Sequence, residues 1–135
     1  MLNRHDIPGD AIDFATVAGL AATGGTVEHI VWQAPYKCKV HEVAVVPTSA
    51  VAGADTNYFN LNVIKVGSGG TGGTELANKD FVSGTNANAG LDCDLYSSAL
   101  GTAFEQCEAI NLQVERKGSG LAMPFMLVKV RYRGD

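Results

Sequence analysis

The stretch Tyr58-Phe59-Asn60-Leu61-Asn62-Val63 alternates apolar and polar residues with a period of two. Successive side chains of an extended strand point to opposite faces, so Phe59, Leu61 and Val63 face one way, and Tyr58, Asn60 and Asn62 the other. The same pattern returns in Ile110-Asn111-Leu112-Gln113-Val114-Glu115. It returns again over 125–133, where Met126, Val128, Val130 and Tyr132 share one face and Lys129, Arg131 and Arg133 the other. Three such strands, each with a single apolar face, cannot stand alone. They must pair into two packed sheets or close into a barrel.

The rest of the chain reads in the same way with less contrast. Ile12, Phe14, Thr16, Ala18 and Leu20 alternate with Asp13, Ala15, Val17 and Gly19. A helix capped by Asp10 competes there, but Thr, Val and Gly in mid-segment disfavour it. Residues 26–33 form a β-rich run that ends at Ala34-Pro35. The run from Cys38 to Val46, closed by Pro47, breaks its alternation between Val40 and Val43, which predicts a bulge or a strand buried on both faces. Residues 75–82 and 91–96 are shorter strand candidates, and 97–105 reads as a helical turn or an irregular crossing. Gly24-Gly25, the Gly-rich run 67–73, residues 86–90 and Gly118-Ser119-Gly120 supply the turns. About eight short strands with no long helix predict an all-β, two-sheet antiparallel sandwich of jelly-roll (Greek-key) type. That domain spans 12–135 and follows a flexible N-terminal arm, 1–11, which contains Pro8-Gly9.

Composition narrows the function. At 135 residues the chain is one domain, able to bury roughly two-thirds of its unfolded surface without a staple. Hydrophobic residues at 46% and charged ones at 18% exclude a disordered body. Ten Lys and Arg against fourteen Asp and Glu leave a net charge of −4, which argues against nucleic acid as a partner. No run of about 18 apolar residues is present, so no membrane span is expected. The start, Met1-Leu2-Asn3-Arg4-His5-Asp6, lacks the apolar stretch of a signal peptide, and the expectation is a chain made and used in a cytosol, or assembled there into something larger. Cys38, Cys93 and Cys107 have no CxxC spacing; each is expected to be a small buried hydrophobe, with a Cys93–Cys107 pair open if their segments are neighbours.

No reaction centre stands out. Gly67, Gly69 and Gly72 fit GxGxxG, but the dinucleotide fingerprint needs a helix next, and residues 74–81 do not supply one. His41-Glu42 lacks a second histidine two residues away; His29 is the one imidazole that could join it across a sheet. Asp92-Cys93-Asp94 lacks calcium-loop spacing, and Ser97-Ser98 has no GxSxG elbow. The expectation is a protein that is not an enzyme, with no catalytic residues, no metal and no cofactor. Half of the basic residues, Arg116, Lys117, Lys129, Arg131 and Arg133, fall in what reads as one C-terminal hairpin. That hairpin reads either as a charged edge protected against aggregation or as a basic stripe that docks on an acidic protein. Trp32, Tyr36, Tyr58 and Tyr132 are candidate aromatic anchors and equally candidates for the core.

The order of these features is itself informative. Val31-Trp32-Gln33-Ala34-Pro35, then Val40-His41-Glu42-Val43 with Pro47, then Asp55-Thr56-Asn57-Tyr58 form the first half. The Gly-rich hairpin, the 110–115 strand, Gly118-Ser119-Gly120 and the 124–132 strand form the second. This layout resembles the small jelly-roll decoration (cement, head-stabilising) proteins of tailed bacteriophages. Where many of those have Gly-Asp before the penultimate strand, this chain has Cys107-Glu108. The resemblance implies a structural virion protein on the capsid exterior, a homotrimer at local threefold sites that bridges major capsid protein subunits. A carbohydrate- or receptor-binding jelly-roll of a phage fibre or lectin-like protein is the alternative.

Overall fold

The computed structural model describes residues 9–134. Residues 1–8 of the expected arm lie outside them. Eight strands follow in order: β1 (Ala11–Val17), β2 (Val27–Gln33), β3 (Cys38–Pro47), β4 (Tyr58–Val66), β5 (Thr74–Asp80), β6 (Cys93–Phe104), β7 (Ala109–Lys117) and β8 (Met126–Gly134). They form two antiparallel four-stranded sheets, β1-β8-β3-β6 and β2-β7-β4-β5. Only the β4–β5 connection stays within a sheet; every other one crosses between them. That strand order is the double Greek key of a jelly roll, as the sequence predicts. Among the described residues there is no α-helix, and therefore none long and apolar enough to cross a membrane.

The inward faces follow from the alternation. Phe59, Leu61 and Val63 of β4 meet Ile110, Leu112 and Val114 of β7, and across the sandwich lie Val40, Val43 and Val45 of β3 and Met126, Val128, Val130 and Tyr132 of β8. Burying these side chains supplies the main stabilisation, at roughly 1.5–3 kcal/mol for each large one. Trp32 of β2 joins the sheets, with its ring 5.1 Å from that of Tyr132 and 5.5 Å, edge-on, from that of Phe104. The predicted irregularity in β3 is a register shift against β6 and β8 between Val40 and Glu42.

The structure departs from the sequence reading at four places. Residues 93–104 are one long strand, β6, rather than a short strand and a helical turn; it bulges opposite His41, with Gly101 at φ +75°. In β1 the apolar Ile12 and Phe14 point outward while Asp13 points inward. There Asp13 Oδ2 accepts hydrogen bonds from Trp32 Nε1 at 3.0 Å and from Tyr132 Oη at 2.8 Å. Cys93 is buried in β6, but Cys107 is exposed in the β6–β7 turn at φ +72°, and the two thiols do not pair. Its left-handed backbone explains why glycine suits that position. Finally, β7 and β8 lie in different sheets and do not form a hairpin.

Candidate functional site

Among the described residues no three His, Cys, Asp or Glu side chains converge as a metal site, and the charged and amide side chains are arrayed on the two outer faces. On the β1-β8-β3-β6 face the register sets side chains in rows: Ile12–Arg131–Glu42–Ser97, Phe14–Lys129–Ala44–Asp94 and Thr16–Leu127–Val46. Lys129, Arg131 and Arg133 do come together here, as alternation along β8 requires. Their charge is answered within the chain. Asp10 accepts from Arg131 Nη1 at 2.6 Å and from Arg133 Nε at 3.0 Å. Glu42 lies 3.5 Å from Arg131 and 3.9 Å from Lys129, and Lys129 also pairs with Asp92. The Arg131 hydrogen bond is the main cause that holds the Asp10 carboxyl below its usual range. Asp92 likewise raises Lys129, and Asp10 raises Arg131.

Arg116 and Lys117 sit on β7 in the other sheet, so the five basic residues make no single stripe. Lys117 pairs with Glu115 at 3.0 Å, which raises its pKa, and lies opposite Tyr58 in the register. Trp32 is 6% exposed and Tyr132 is fully buried, so both serve the core of the closed sandwich. Tyr36 and Tyr58 are half-buried, Tyr36 with its ring 6.1 Å from that of Tyr132. His29 and His41 are not brought together: one is on β2, the other on β3 in the opposite sheet, where His41 Nδ1 lies 3.2 Å from the Ser98 carbonyl.

What the alternation did not single out is the apolar surface at the sandwich's edge. Phe14 is 60% exposed and Ile12 45%, both on the edge strand β1, and Leu127 and Val46 continue their face, half-buried. Ile30, 64% exposed, is separate from them: it faces out from the other sheet, on β2. Leu100 projects from the β6 bulge at 86% exposure.

The second outer face is built from carboxamides. Glu28, Gln113, Asn62 and Asn78 share one cross-strand row, and Ile30, Asn111, Ile64 and Glu75 the next. Asn62 Nδ2 donates to Gln113 Oε1 at 2.8 Å, and Gln113 Nε2 donates to Glu28 Oε1 at 2.9 Å. Asn60 donates to Asn78 and, at 2.6 Å, to Asp80. This lattice explains how Asn60 and Asn62 are buried on an outer face, yet the side-chain oxygens of Asn60, Asn62 and Asn111 have no hydrogen-bond partner among the described residues. The β4–β5 loop folds over the second row and closes a cleft of about 460 Å³, lined by Glu28, Ile30, Ile64, Val66, Glu75, Asn111 and glycines of the loop. No family signature could have shown this cleft, because its residues are spread over 28–111 and meet only through the register.

No protein-family model and no curated protein matches the chain. Among solved structures, a chain of infectious bursal disease virus Gx strain aligns over 92% of this chain and 32% of its own, with TM-score 0.41 and 11% identity. A chain of the Gt strain of the same virus aligns over 93% and 32%, with TM-score 0.36 and 13% identity. The present chain thus spans about a third of the length of each.

Proposed function

We propose that the protein is a structural, non-catalytic virion component that decorates a capsid, a homotrimer bound to major capsid protein on the shell exterior. The observation that carries this reading is the exposed apolar edge: Ile12 and Phe14 on β1, continued on the same face by Leu127 and Val46. A small domain leaves large apolar side chains together on an edge where a partner covers them, and bare edge strands otherwise invite aggregation. The layout that resembles phage decoration proteins supports the kind of partner. Symmetry supports the stoichiometry, since three copies around one axis can cover each other's edge strands, and many weak contacts across a shell add up to firm attachment.

The test is cosedimentation of the full chain with assembled capsids of the particle whose genome encodes it. Saturable pelleting, weakened in Ile12→Ser/Phe14→Ser, is the expected result. Wild-type protein that stays in the supernatant at low salt overturns the reading, and retention on a glycan array instead would favour a sugar-binding module.

A further inference from the structure

The cleft on the β2-β7-β4-β5 face is a built feature that a compact sandwich does not need for its core. Its floor is one row of the register, Ile30–Asn111–Ile64–Glu75, which crosses all four strands, with Val66 in the next row. Its wall is the glycine loop. Gly70 and Gly72 have φ of +74° and +71°, conformations that let the loop turn back over the sheet. A Cβ on Gly73 would sit 2.9 Å from the Ile64 Cγ2, so a side chain there would force either Ile64 or the loop to shift.

The chemistry of the lining is one-sided. A carboxylate stands at each end, Glu28 on β2 and Glu75 on β5, and no Lys or Arg is among the lining residues. Glu28 is held in place by the Gln113 amide. Between the acids lies an aliphatic floor with no aromatic ring, with Asn111 in its central row. Sugars usually stack on aromatic faces, and anionic ligands would meet only repulsion. A lysine or arginine side chain fits both the acids and the floor: its methylene stem covers apolar surface while its charged head donates to carboxylates.

We infer that this cleft captures a basic segment of a partner protein, stems on Ile30, Ile64 and Val66 and cationic heads on Glu28 and Glu75. The inference rests on the docking reading above and names the chemistry of what is docked. Three interstrand spacings of about 4.8 Å separate β2 from β5, and Glu28 is one same-face row, about 7 Å, from the row of Glu75. The acids thus stand about 16 Å apart, within reach of long basic side chains at residues i and i+4 of an extended peptide. The segment therefore carries two basic residues about four apart.

The experiment titrates isotope-labelled full-length protein with the peptide acetyl-Arg-Ala-Ala-Ala-Arg-amide, followed by amide chemical shifts. Citrulline in place of both arginines is the uncharged control, and chitotriose and maltotriose are the saccharide arm. The expected result is a shift set confined to residues 28–30, 64–75 and 111, weakened when salt rises from about 0.1 M to about 1 M. Glu28→Gln/Glu75→Gln should weaken binding about tenfold with an unchanged melting temperature. Equal binding of the citrulline peptide, shifts elsewhere on the surface, or cleft shifts with a saccharide alone overturn the inference. Cosedimentation separates the two failures. Wild type absent from the capsid pellet overturns the docking reading, whereas the double variant pelleting as tightly as wild type overturns the cleft and leaves docking intact.

Discussion

The two outer faces of the sandwich handle charge in opposite ways. On the β1-β8-β3-β6 face, three cations in line along β8 are met by Asp10, Glu42 and Asp92, drawn from three other parts of the chain, and the face neutralises itself. On the β2-β7-β4-β5 face, carboxamides satisfy one another in rows, and the two glutamates of the cleft have no cation beside them in the lining. The face richest in charge along the sequence is thus electrostatically closed, while the face that reads as neutral leaves acceptors unanswered. A run of like charges in one strand says little about a surface until the neighbouring strands are known.

Both faces persist only while the sheets stay joined at the β1/β2 edge, and the largest expected effect lies there. Asp13→Ala removes the acceptor that serves both the Trp32 indole and the Tyr132 hydroxyl, and should cost about 2–4 kcal/mol. Thermal unfolding should read this as a fall of roughly 8–15 °C; a change within error would mean that the bond pair does not hold the edge.

Charge reversal sharpens the contrast between faces. Lys129→Glu with Arg131→Glu places two more acids beside Asp10, Glu42 and Asp92, and should destabilise the fold by about 1–3 kcal/mol. Glu28→Lys with Glu75→Lys should stay within about 0.5 kcal/mol of wild type. Equal losses in urea unfolding would erase the distinction.

The smallest effect is a pH dependence. Asp10 is held below its ordinary value of 3.8, chiefly by the Arg131 hydrogen bond. A lowered folded-state pKa contributes stability that is complete above the unfolded value and disappears as pH falls through the folded one. The advantage of wild type over Asp10→Asn, under about 1 kcal/mol for a surface pair, should be constant near neutrality, begin to decline as pH approaches 3.8 and vanish only below the lowered folded-state value. An advantage that persists in acid would assign it to something other than this ion pair.

Much of the fold was legible because β4, β7 and β8 alternate strongly and each has one buried face. β1 was less legible. Its apolar residues point outward because Asp13, at the alternate position, is claimed by donors from β2 and β8 that lie far away in sequence. β6 read as broken because Gly101 and Leu100 belong to a bulge inside a continuous strand, and a bulge shifts the alternation just as a strand end does. The basic residues were found individually, but whether they are open or paired is a property of the register, as is the cleft.

On the proposed reading, the exposed apolar edge exists to be covered by other subunits. Light scattering on the full chain measures this directly. A particle of about 42 kDa, three times 14.1 kDa, falling to about 14 kDa in Ile12→Ser/Phe14→Ser, is the predicted result. Wild-type protein that remains a 14.1 kDa monomer at every concentration, with Ile12 and Phe14 bare, would contradict it.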